Sequence, residues 1–152
     1  MKIKVIDFGY DNLPNRAHSN DAGADVYARI PEEWDEYTTR GFIKTPPSYV
    51  IKPHTTAKIP LGLGLELPDG YMACVYPRSG LSSKGIVCEL PPIDSGYRGE
   101  IHAIVHNGSD ENFVVQNGDR IGQLVVTPVV ICDFVTDLGE ERGSGAFGST
   151  GR

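Results

Sequence analysis

Arginine, serine and glycine stand side by side in Pro77-Arg78-Ser79-Gly80-Leu81, and similar chemistry returns in Gly118-Asp119-Arg120-Ile121-Gly122-Gln123 and in the closing stretch ERGSGAFGSTGR, residues 141–152. A guanidinium is a planar fork of donors that fits phosphate oxygens, and glycine leaves neighbouring N–H groups open to the same oxygens. Two further stretches supply acid and ring: Asp21-Ala22-Gly23-Ala24-Asp25, and Asp94-Ser95-Gly96-Tyr97-Arg98-Gly99. Each alone reads as an ordinary turn, because Asp, Ser and Gly are what turns need. Five such stretches in one small chain, carrying arginine, carboxylate, glutamine, hydroxyl and two aromatic rings, make a kit for gripping a nucleoside phosphate. The arginines Arg78, Arg98, Arg120 and Arg142 all lie in turn-like or strand-end positions from which a phosphate is within reach. The tail also satisfies the spacing GxGxxG over 143–148, but a dinucleotide-binding turn needs a helix after it, and too few residues follow Gly148 to form one.

The elements that must hold these stretches are strands. Short apolar runs at 3–6, 71–76, 101–105, 113–115 and 124–135, the last broken by Pro128, alternate with turn residues, and 18 glycines and 11 prolines punctuate them. Helical period is nearly absent, so the fold class is all-β, a barrel or sandwich of many short strands. Pro31 and the acids after it suit one helical turn over 31–37. The 152 residues form a single domain able to bury roughly 70% of its unfolded surface. A small all-β domain must close or cover its sheet edges, which favours assembly with other copies.

Composition removes several functions. A net charge of −6 disfavours sequence-independent nucleic-acid binding, which needs a broad basic face. No apolar run is long enough to span a bilayer, and MKIKVIDFGY lacks the apolar core of a signal peptide, so it reads as a first strand of a cytoplasmic protein. Cys74, Cys88 and Cys132 are odd in number and fit no CxxC pattern; they are expected as reduced thiols packed in the core. His102 and His106 lie four apart in a strand-like run, about 13 Å from one another, where an HxxxH metal pair would need a helix.

Taken in order, the five stretches resemble the five motifs of the trimeric dUTP pyrophosphatase (dUTPase) family, from Asp21 to Gly151. The resemblance rests on Pro-Arg-Ser-Gly-Leu, Ile-Asp-x-x-Tyr-x-Gly, Gly-Asp-Arg-Ile-x-Gln and Arg-Gly-x-Gly-x-Phe-Gly-Ser-Thr-Gly. It implies a distorted jelly-roll-like β-barrel, a homotrimer with a swapped C-terminal arm, and Mg²⁺-dependent hydrolysis of dUTP to dUMP and pyrophosphate at sites shared between subunits. Within it, Asp94 matches the general base that activates the attacking water, and Tyr97 the ring packed on the deoxyribose. Arg78, Ser79 and Gly80 match the phosphate loop, Gln123 a further phosphate donor, and Asp25 an acid that supports the site indirectly. Arg142 would reach the γ-phosphate, Phe147 would stack on uracil, and Gly148, Ser149 and Thr150 would donate to the triphosphate from a mobile arm, 141–152. The backbone of the tight 94–97 hairpin would read uracil and leave no room for a C5 methyl group. Mg²⁺ would be carried by substrate phosphates and waters, with no protein ligand.

Some positions depart from the family pattern. Gly122 stands where alanine is common, Ala146 where glycine is, Pro91-Pro92 precede the motif with Asp94, and Gly96 replaces a frequent second acid. The segment 32–53 is longer than usual, and its acids and aromatics could form a surface for a protein partner. The same fold also serves dCTP deaminase, against which Ile-Asp-x-x-Tyr and the aromatic tail speak, and non-catalytic binding proteins remain a rival.

Overall fold

The computed structural model describes residues 1–34 and 46–136. Ten strands carry nearly all its regular structure: β1 (Lys4–Asp7), β2 (Ala24–Tyr27), β3 (Ser48–Ile51), β4 (Thr55–Pro60), β5 (Leu63–Glu66), β6 (Tyr71–Tyr76), β7 (Ile86–Glu89), β8 (His102–Asn107), β9 (Phe113–Gln116) and β10 (Arg120–Pro128). Helix is confined, among the described residues, to a 3-10 turn at Glu32–Trp34 and one α-turn, α1 (Ser79–Ser82). The 3-10 turn falls where the acids after Pro31 predict one. None of the described helices is long and apolar enough to cross a membrane.

All pairings are antiparallel and join distant parts of the chain: β1 with β5, β2 with β10 and β10 with β6, β3 with β9, and β8 between β4 and β7. Together they make a distorted jelly-roll-like barrel, the all-β fold that the short, glycine-punctuated runs predict. Strand β8 shows why: Ala103, Val105 and Asn107 are buried while His102, Ile104 and His106 are only partly covered, the alternation that a sheet with one face on the core imposes. The core they meet holds Val26, Ile30, Ile51, Ile59, Leu63 and Ile121, all essentially without solvent contact. Asn107 is the polar exception, satisfied by donating to the carbonyls of Ile51 (2.9 Å) and Glu111 (2.7 Å) while accepting from the Ser109 hydroxyl (2.7 Å).

Two differences from the sequence reading matter for the site. The last strand begins at Arg120 and stops at Pro128, so the apolar stretch beyond it is not strand in the single chain. There Val130 is 89% exposed and Phe134 95%, with Ile131 and Val135 also open to solvent. Cys132 lies in this exposed segment and not in the core, unlike Cys74 and Cys88. Burial pushes the Cys88 thiol up to about 11, so it stays protonated and unreactive near neutral pH.

Candidate active site

Asp25 is the centre of a polar cluster. Its motif is not only a loop: Ala24 and Asp25 open strand β2, whose backbone pairs with β10 so that Asp25 faces Gln123. Asp25 as a residue is buried, its side chain 11% exposed. Oδ1 accepts from Gln123 Nε2 at 3.3 Å and lies 3.4 Å from Arg78 Nε; Oδ2 accepts from Arg120 Nη1 at 3.3 Å. Arg78 also donates through Nη1 to the Arg120 carbonyl, 3.4 Å away. Gly23 makes room for this arrangement, since a Cβ there would come within 2.8 Å of Gln123 Cβ.

A β-bulge brings the two β10 residues to one carboxylate. In an unbroken strand Arg120 and Gln123, three positions apart, would point to opposite faces. The register instead runs from Arg120 opposite Tyr27 to Gly122 opposite Val26, so one extra residue is inserted between them. A bulge re-aims side chains in this way, and here both donors turn to Asp25.

On the other side of β10, Gln123 faces Tyr76 at the end of β6, and the chain then runs through Pro77 into Arg78 and α1. Ser79 and Gly80 are exposed residues of the first turn of α1, where N–H groups have no carbonyl four residues back within the helix. A Cβ at Gly80 would meet nothing within 4 Å, so the chain's own packing does not demand glycine there. Arg78, Ser79, Gly80, Gln123 and Asp25 thus come together.

Asp94 and Tyr97 do not join them. Ile93, next to Asp94, bridges to Ala73, the third residue of β6. Five residues of extended chain separate Ala73 from Arg78, which is about 16 Å. Asp94 and Tyr97 border a cleft of about 290 Å³ together with Val75, Ile93, Glu100 and His102. The turn is closed by the Tyr97 amide donating to the Asp94 carbonyl at 3.1 Å. The Tyr97 hydroxyl donates to the Glu100 carbonyl (2.9 Å), which holds the ring in place. Asp94 is exposed, and among the described residues no hydrogen bond or ion pair engages its carboxylate.

Arg98, which the sequence offers as a phosphate ligand, turns back on its own hairpin: Nη1 donates to the carbonyls of Ser95 (2.5 Å) and Tyr97 (3.0 Å). It staples the turn. Arg142, Phe147, Gly148, Ser149 and Thr150 lie outside the described residues, as do the segment 35–45 and the rest of 137–152. No three His, Cys, Asp or Glu side chains among the described residues gather closely enough to hold a metal ion, and Asp25, the acid beside the phosphate-type loop, is already engaged by two guanidiniums.

A jelly-roll-like barrel with a cationic cluster beyond the end of β6 and an acid and ring at a cleft beside the same strand has the outfit of a nucleotide-handling protein. The chain belongs to the dUTPase family, whose profile matches residues 40–151. A deoxyuridine 5'-triphosphate nucleotidohydrolase of Gloeobacter violaceus is 43% identical over 147 residues, covering 91% of this chain and 88% of the relative. One from Anaplasma marginale is 36% identical over 160 residues, covering 99% of each. In fold, the chain superposes on a mutant dUTPase of Staphylococcus bacteriophage 80alpha, solved with dUpNHpp, with a TM-score of 0.77 at 24% identity and 99% coverage of both chains.

Proposed function

We propose that the protein hydrolyses dUTP to dUMP and pyrophosphate, with water attacking the α-phosphorus and Asp94 as general base. The observation that carries this reading is the Asp94 carboxylate, exposed beside the Tyr97 ring at a cleft, with no partner among the described residues to occupy its lone pairs. Such a group can accept a proton as the nucleophile forms. The ring face of Tyr97, fixed by its hydroxyl, would press on C2′ of the sugar and leave a ribose hydroxyl without space or partner, which selects deoxynucleotides.

Arg78 and Gln123 would bind the α- and β-phosphates with the first-turn N–H groups of Ser79 and Gly80, stabilising charge that builds at phosphorus. Arg142 would take the γ-phosphate, Phe147 would stack on the base, and Gly148, Ser149 and Thr150 would close the site with N–H and hydroxyl donors and exclude water. Since no cluster among the described residues could cage a metal, Mg²⁺ would bind the substrate's phosphates and waters, where it neutralises charge. Every other step falls to the side chains named.

A homotrimer whose sites combine Asp94 and Tyr97 of one subunit with Arg78 and Gln123 of the next fits this reading, because no hydrogen bond or ion pair among the described residues joins the two groups within one chain. The exposed Val130, Ile131, Phe134 and Val135 support it too, because a run of this kind ordinarily marks a contact surface. In this reading the segment leads a swapped C-terminal arm onto a neighbour.

Incubation with Mg²⁺ and dUTP or dCTP tests the reading. dUMP and pyrophosphate from dUTP are expected; ammonia from dCTP, or no product from either, would refute it. Asp94→Asn should retain binding of dUpNHpp while turnover drops by about two orders of magnitude or more. Unchanged turnover in stopped-flow pyrophosphate release removes Asp94 from the mechanism.

A further inference from the structure

We infer that Arg120 is a positioning residue: by occupying one oxygen of Asp25 it keeps that carboxylate from capturing Arg78, leaving Arg78 free for phosphate. The inference rests on the functional reading above and adds a residue to it. Asp25 is buried and has two oxygens to satisfy. Oδ2 is taken by Arg120 Nη1, and Oδ1 is divided between neutral Gln123 and the Nε edge of Arg78. One negative charge thus faces two positive ones, and the cluster keeps a net charge of +1 for an incoming anion. Among the described residues Arg78 is tethered through Nε and through Nη1 to the Arg120 carbonyl, and no partner takes Nη2.

Without the Arg120 side chain the cluster loses its net positive charge. Asp25 and Arg78 become an isolated pair of zero net charge, and the open Oδ2 invites a two-point, fork-on-carboxylate bridge, the strongest arrangement available to arginine. A phosphate must then compete with a buried carboxylate for the same guanidinium. Arg120 itself is the most solvent-exposed of the three side chains, 53% against 30% for Arg78 and 11% for Asp25, which fits a counter-charge that comes in from outside.

The test is a double-mutant cycle on the full-length protein, reading the dissociation constant of dUpNHpp by calorimetry and KM and kcat for dUTP. Arg120→Gln should weaken dUpNHpp binding about tenfold, the scale of losing a charge-assisted hydrogen bond, and raise KM more than it lowers kcat. With Asp25→Asn in place, adding Arg120→Gln should change affinity by less than about twofold, because the competing charge is gone. Equal losses in both backgrounds overturn the inference, since Arg120 would then touch phosphate directly. Arg120→Lys, which keeps the charge, should recover most of the affinity, and this arm decides the matter if the double variant fails to fold: Lys and Gln variants that bind alike overturn the inference. Wild-type protein that hydrolyses no dUTP removes the functional reading and this inference together; active wild type with an indifferent Arg120→Gln removes this inference alone.

Discussion

Gly99 carries no side chain because the Tyr97 ring occupies the space. A Cβ at position 99 would collide with the Tyr97 hydroxyl and sit 2.6 Å from Cζ, so the ring can lie back and bond to the Glu100 carbonyl only over glycine. Gly99→Ala should therefore leave dUTP turnover measurable but narrow the preference for dUTP over UTP, read as the ratio of kcat/KM for the two substrates, by about tenfold. An unchanged ratio would show that ring placement does not set sugar selection. At this scale the candidates were visible in the sequence. Asp94, Tyr97, Arg78 and Gln123 stand out by type and neighbours, whereas Arg98 misleads: its spacing resembles a ligand's, and only geometry reveals that nearby carbonyls consume it. Arg120 gave a weaker signal, a charge at the start of a strand with no hint of which face it takes.

That face is decided by the bulge between Arg120 and Gly122, a property of strand pairing and not of any one residue. Strands β6 and β8 were legible as short apolar runs between turn residues, but a one-residue insertion in the register leaves no mark on hydrophobic period. Gly122 shows the same limit. As a departure from the alanine common in the family it reads as a small change, yet an added methyl group would approach Val75 Cγ1 to 2.6 Å and the Tyr76 carbonyl to 3.1 Å, between β10 and β6. Gly122→Ala should destabilise the fold by about 1–3 kcal/mol, the usual cost of overpacking, and lower the thermal midpoint. Because Gln123 follows directly, its KM for dUTP should rise as well; a variant as stable and active as wild type would mean that β6 yields easily. Likewise Ser79 and Gly80 read as a loop, while the chain forms one helical turn there, too short to leave a periodic pattern.

At the scale of the molecule, the short, glycine-punctuated apolar runs conveyed the all-β class, but not how the polar clusters are arranged. Motif order along the chain says nothing about distance in space, and no hydrogen bond or ion pair among the described residues ties the Asp94 hairpin to the Arg78 loop. Replacing Ile131 and Phe134 by Asp should yield a folded monomer by sedimentation velocity that hydrolyses dUTP at least a hundredfold more slowly, as expected when nucleotide and base are no longer co-positioned; a fully active monomer would exclude shared sites. Truncation before Arg142 should leave assembly intact and nearly abolish turnover. Sites shared between subunits would have a genetic corollary. A chain crippled at Arg78 and another crippled at Asp94 would each be inert alone, but unfolding and refolding them as a mixture should regenerate active enzyme, since some composite subunit boundaries would then bring together one undamaged half from each parent.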